Sequence, residues 1–221
     1  MNSLVGILIV SLVLVAVPEC IYSSEPDSVD FYSNAVAFFK SSFTRHLQVT
    51  SEQSIAGYDK ETAIENAKLG EPYPTYRLTY TVALNADLLL GPERTMELIY
   101  INYPVEICDH IYGVIRSSVL GSAHFSTCGG TDSLLLRLRA EYKGRGDYKY
   151  YQIHIFKRGH QMVLVKDKNT YYAGTAYPET SEALAIDLVV ENSLPETTLD
   201  SIVPQLKALA QKRLKEMETK D

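Results

Sequence analysis

At 221 residues and a net charge of −6, the chain fits one domain with a short segment outside the fold. The acidic balance counts against nucleic acid as a partner. Three cysteines are too few for a disulfide-dense scaffold, and sixteen Tyr with no Trp suit a sheet whose rings cover the pleat with wet hydroxyls.

Leu4 to Val17 is an unbroken run of small and apolar residues, followed by Pro18 and Glu19. Its length is near the upper end for a signal-peptide core and short of the ~20 residues of a membrane span. Residues 1–24 therefore read as an export signal, with an uncleaved membrane anchor at residues 4–18 as the alternative; residues 25–221 read as a single domain. Cys20 at the boundary raises lipid attachment, although Val17, Pro18 and Glu19 do not make a lipobox. The expected location is extracytoplasmic: secreted, periplasmic or in the cell envelope.

Ser28 is placed to cap a helix whose apolar residues Val29, Tyr32, Val36, Phe39 and Phe43 recur at steps of three and four, with Ala35 and Leu47 beside them. A second helix is expected over 59–69, with Asp59 as its cap and Gly70 just beyond its end. Strict alternation in TYRLTYTVAL predicts a strand over 75–84. Further strands are expected at 95–103, 105–108, 111–117, 134–142, 148–156, 162–166, 170–176 and 183–191, separated by turn-forming stretches such as Lys143-Gly144-Arg145-Gly146-Asp147. A last helix carries Ile202, Leu206, Leu209, Leu214 and Met217 on one face, and Pro204 is tolerable in its first turn. The expected fold is α+β: a curled antiparallel sheet with the N-terminal and C-terminal helices packed on one face.

Charge is unevenly spread. Residues 137–168 hold 9 basic and 3 acidic side chains, whereas residues 169–204 hold 6 acidic and no basic ones. Arg137, Arg139, Lys149 and Lys157 in the basic block are candidate contacts for a polyanion. Alternating charges along strands also serve as ordinary solvated faces.

In an exported chain, Cys108 and Cys128 remain as an even pair, and a disulfide between them is the expected arrangement. The competing reading makes Cys128 the nucleophile of a thiol-dependent hydrolase, with His124 or His154 as base and the Gly129 and Gly130 N–H groups as oxyanion donors. The five His show no metal-ligand spacing, and neither a P-loop nor a G-x-S-x-G elbow occurs. No metal, cofactor or catalytic residue is assigned. Arg145-Gly146-Asp147 spells an adhesion tripeptide, but a Gly-rich turn requires those residue types for its own backbone. Tyr148, Tyr150 and Tyr151 around Lys149 resemble a stacking platform, and a sheet face accounts for them more economically.

The stretch Ala67-Lys68-Leu69-Gly70-Glu71-Pro72-Tyr73-Pro74-Thr75-Tyr76, followed by Tyr103-Pro104-Val105, resembles an A-x-L-G-x-P-[FY]-x-x-Y stretch and [FY]-P-V step in certain exported bacterial proteins of uncharacterised function. The resemblance spans about residues 60–130. Those proteins often carry a Trp near the step, and this chain has none. The resemblance implies an exported α+β domain and carries over no catalytic residue, since none is established for that pattern. The sequence thus points to an exported or envelope-associated, non-catalytic binding or accessory domain. A peptide, a small molecule or an anionic envelope component is the candidate partner. The thiol hydrolase and an envelope-polymer or adhesion protein using the 137–168 block are the alternatives.

Overall fold

The computed structural model describes residues 30–49, 54–55, 57–108, 110–156, 160–190 and 192–219. The expected export segment, Cys20, Ser28, Val29 and Lys157 lie outside them. Helix α1 (Phe31–Phe38), a π-helical turn (Phe39–Phe43) and α2 (Thr44–Val49) form one helical run. Asp30 caps it, accepting a hydrogen bond from the Ser33 N–H at 2.9 Å. Ala35, Phe43 and Leu47 are buried from the expected stripe, whereas Tyr32 is 62% exposed.

A small hairpin, β1 (Ser54–Ile55) with β2 (Tyr58–Asp59), leads into α3 (Lys60–Glu65). Asp59 caps that helix as expected, accepting from the Thr62 N–H at 3.0 Å. The helix is shorter than expected because Ala67–Leu69 form β3, and the Gly70 N–H is taken by the Pro104 carbonyl at 2.8 Å. Strand β4 (Tyr73–Leu78) also stops short of the alternating run. The Thr79 hydroxyl accepts from the Val82 N–H at 3.3 Å and starts α4 (Tyr80–Asn85), so Tyr80, Val82 and Leu84 reach the core from a helix.

After a 3₁₀ turn (Leu88–Leu90) and α5 (Pro92–Thr95), β5 (Glu97–Ile107) runs unbroken through Pro104, where two strands were expected. Then come β6 (His110–Ser118) and β7 (Ala123–Thr127). The expected strand at 134–142 is instead α6 (Gly130–Glu141). Leu134, Leu135 and Leu138 are 0% exposed, and their one- and three-residue steps place them on one helical face. Burying each is worth about 2 kcal/mol.

The Tyr- and aliphatic-rich runs between turn residues give the expected strands β8 (Tyr148–Ile155), β9 (His160–Asp167) and β10 (Thr170–Thr175). The strand expected at 183–191 is replaced by α7 (Pro178–Leu184), a left-handed Ala185 that ends it, and the two-residue β11 (Asp187–Leu188). Helix α8 (Leu199–Glu218) buries Ile202, Leu206 and Ala210. Pro204 falls in its second turn rather than its first.

The described strands of the main sheet run in the order β11-β10-β9-β8-β4-β5-β6-β7, with β3 also paired to β5. The sheet is mixed, not wholly antiparallel, because β8 returns through α6 to lie parallel to β4, and β11 lies parallel to β10. Consecutive residues show the two faces. Ile115 and Leu164 join the clusters under α1–α2 and α8, while Val114 and Val163 join the cluster under α6. The fold is α+β, with the N-terminal and C-terminal helices on one face and α6 on the other.

Candidate functional site

Strands β3 and β4 lie nearly end to end along β5. Ala67–Leu69 pair with Ile107–Val105, and Tyr73 onward pairs from Asn102, which leaves Gly70–Pro72 as a loop between them. On its other side β4 meets β8 only from Thr75 opposite Gln152 to Leu78 opposite Ile155. Among the described residues, the first half of β8, Tyr148–Tyr151, therefore has no strand paired to it on that side. Pro72 and Pro74 favour this split, since neither offers an N–H to a neighbouring strand.

The split opens into a groove of about 680 Å³ between the Gly70–Pro72 loop, the last turn of α6 and the start of β8. Arg139 from α6 pins the loop. It donates to the Glu71 carbonyl at 3.0 Å and the Pro72 carbonyl at 3.4 Å, pairs with the Glu71 carboxylate at 2.9 Å, and lies 5.8 Å from the Tyr73 ring centre. Lys68 is paired with Glu106 at 3.4 Å, and Glu93 accepts from the Tyr151 hydroxyl at 2.9 Å. Lys143 and Lys149 remain as lining cations without a carboxylate partner among the described residues. Tyr142, Tyr148 and Tyr150 form a chain of ring contacts along the wall, at 5.9 and 6.4 Å. Burial pushes the Tyr150 phenol up to about 12, so it stays a neutral donor at ordinary pH.

Behind the groove, a buried polar layer lies between α6 and the sheet. Asp132, in the first turn of α6, accepts from the Tyr73 hydroxyl at 2.7 Å and pairs with Arg116 of β6 at 2.6 Å. Asn102 donates to the Tyr73 carbonyl at 3.1 Å and the Thr75 hydroxyl at 2.5 Å, and Thr75 donates to Gln152 at 2.7 Å. His154, on the same face of β8 as Gln152, has an Nε2 without a protein partner. Burial, then Arg116, lower its pKa to about 4 against an opposing pull from Asp132, with a smaller contribution from Arg77. The layer fixes the register of four strands and the seat of α6. Sequence reading missed Tyr73, Asn102, Arg116 and Asp132; the available signal was polar side chains at strand positions flanked by apolar ones.

The cysteines are not brought together. Both are free thiols, so the expected Cys108–Cys128 bridge is not formed. Cys108, at the β5–β6 turn, packs with the cluster under α1–α2, whereas Cys128 packs with the α6 cluster on the opposite face. Nor is Cys128 set up as a nucleophile. Burial, reinforced by Asp132, pushes its thiol up to about 11 despite Arg116, which withholds the thiolate at neutral pH. His124 turns its ring edge-on to Tyr100 at 5.7 Å, and burial followed by Arg116 lowers its pKa.

Of the candidate polyanion contacts, Arg139 and Lys149 line the groove, Arg139 already engaged as described. Arg137 reaches the Val190 carbonyl at 3.5 Å, away from them. Arg145 of the Arg-Gly-Asp turn is folded back on Glu141 at 2.8 Å and on the Tyr142 ring at 5.5 Å. No group of three or more His, Cys, Asp or Glu placed to hold a metal ion occurs among the described residues. Among the same residues, no helix is long and apolar enough to cross a membrane. The chain matches no protein family, no curated protein and no solved structure.

Proposed function

We propose that this chain is an exported or envelope-associated binding module without catalysis of its own, which takes its ligand in the groove between the Gly70–Pro72 loop and the start of β8. The carrying observation is a concave site of about 680 Å³ walled by tyrosine rings, in which Lys143 and Lys149 have no ion-pair partner among the described residues and outnumber the one unpaired lining carboxylate, Glu93. That volume lies in the usual range for ligand sites. Rings supply contact area at low entropic cost, and free ammonium groups select an anionic ligand. The protonated, half-buried Cys128 speaks against the thiol hydrolase. The scatter of Arg137 away from Arg139 and Lys149 speaks against a broad polymer-binding patch.

The test is titration of the purified protein with a panel of acidic peptides, anionic oligosaccharides and small carboxylates, followed by amide chemical shifts. A ligand should perturb Tyr148–Tyr151 and lose most of its affinity in a Lys143→Glu/Lys149→Glu variant. Ligands that bind this variant as well as the parent would refute the groove; ester turnover abolished by Cys128→Ser would restore the enzyme.

A further inference from the structure

Among the described residues, strand β8 is paired along its whole length on one side and along half of it on the other. Strand β9 covers Tyr148–Ile155, while β4 covers only Gln152–Ile155. Alternate residues of Tyr148–Tyr151 therefore direct backbone N–H and C=O groups sideways into the groove. Across the groove β3 is likewise paired on one side, to β5. The chain's own loop does not fill the gap: Pro72 and Pro74 lack N–H groups, and Arg139 holds the Glu71 and Pro72 carbonyls.

We infer that the gap receives an extended polypeptide segment, added to the sheet as a strand against the open edge of β8 and carrying a carboxylate side chain that meets Lys143 or Lys149. The inference rests on the groove being the ligand site and names its ligand class. Strand addition supplies what the free edge lacks, with main-chain hydrogen bonds giving affinity and alternate side chains giving specificity. Successive side chains of β8 suit this division. Tyr148 and Tyr150 face the α6 side, and Lys149 faces the other, so every second residue of the peptide meets rings and the intervening ones meet the cation. Among the described residues the lining charges pair as Lys68 with Glu106 and Arg139 with Glu71, which leaves Lys143 and Lys149 against Glu93, whose carboxylate accepts from Tyr151, so the groove keeps an excess of positive charge.

The experiment selects peptides from a phage-displayed library of random linear dodecapeptides on the immobilised full-length chain. A selected peptide is then measured by calorimetry, with its backbone nitrogens methylated one at a time. Selected sequences should carry Asp or Glu among alternating apolar residues. Methylation should weaken binding about tenfold at every second position and little between them. The exposed substitution Lys149→Glu should weaken the acidic peptide and favour its Lys-for-Asp counterpart. Methylation without that alternation, in a peptide still sensitive to Lys143→Glu/Lys149→Glu, would overturn strand addition while leaving the groove as the ligand site. Selected peptides indifferent to that double substitution, or a selection yielding none, would overturn the inference, and the indifferent peptides would refute the groove too. Concentration-dependent self-association lost in the double variant would assign the edge to a second copy and overturn it equally.

Discussion

Substituting His154 with Gln separates one titration from all others in the protein. His154 stands on the α6 face of β8, closed in by the sheet and facing Arg116 and Arg77, with only Asp132 opposing them. Its imidazole therefore titrates near 4 in the folded chain against 6.5 for an ordinary histidine. Because the folded pKa is the lower one, the unfolded chain binds the extra proton between those values. The stability is present in full above pH 6.5 and is lost as pH falls towards 4. Between pH 7 and pH 5 the linkage amounts to about 2 kcal/mol. Urea denaturation of parent and His154→Gln at both pH values reads it directly, since carboxylates and other histidines cancel in the difference. The parent should lose about 2 kcal/mol more than the variant over that interval. Two proteins that lose stability in parallel would show an imidazole that is solvated and titrates normally, and the closed polar layer would be wrong.

Asp132→Asn should destabilise the fold by about 3 kcal/mol, since Arg116 is left charged in a mostly buried site, lowering the Tm by roughly 6–12 °C. Combined with Arg116→Met, the loss should be smaller than the sum of the two single losses; additive losses in thermal melts would show that the pair is not coupled. Cys108 and Cys128 should both take up iodoacetamide on unfolding without reductant, and Cys128 should react slowly in the folded protein at pH 8. Peptide mapping that finds either one protected until reduction would establish the disulfide instead.

The parts of the fold legible in the sequence were those whose signal is local. Strands β8, β9 and β10 are short runs rich in Tyr and aliphatic residues, buried at their centres and bounded by turn residues, and α8 keeps its apolar step of four from Ile202 through Leu206 to Ala210. The stretch Leu134-Leu135-Leu136-Arg137-Leu138-Arg139 misled because its second half alternates like a strand, while the buried face is set by Leu134, Leu135 and Leu138. Thr79 reads as a strand residue until its hydroxyl caps α4. The groove was half visible: Glu71-Pro72-Tyr73-Pro74 stood out, and so did the tyrosines around Lys149. Their meeting depends on β8 arriving beside β4, and Thr75 and Gln152 stand 77 residues apart, beyond any spacing rule. The Tyr73–Asp132–Arg116 set is drawn from β4, α6 and β6 in the same way. The cysteine pairing rested on parity, which counts thiols and does not tell which side of a sheet each one faces.

The parallel seam between β4 and β8 also governs the order in which the protein can assemble. The β5–β6–β7 and β8–β9–β10 meanders are each built from neighbouring hairpins and can form as soon as they leave the ribosome. Strand β4 can join β5 early, but its other edge waits until Ile155 has been synthesised. Until then the nascent sheet ends at an open edge with α6 unseated on one side. Closing the long loop between β4 and β8 follows the local hairpins on entropic grounds, and until it closes the open edge is available for wrong pairing between chains.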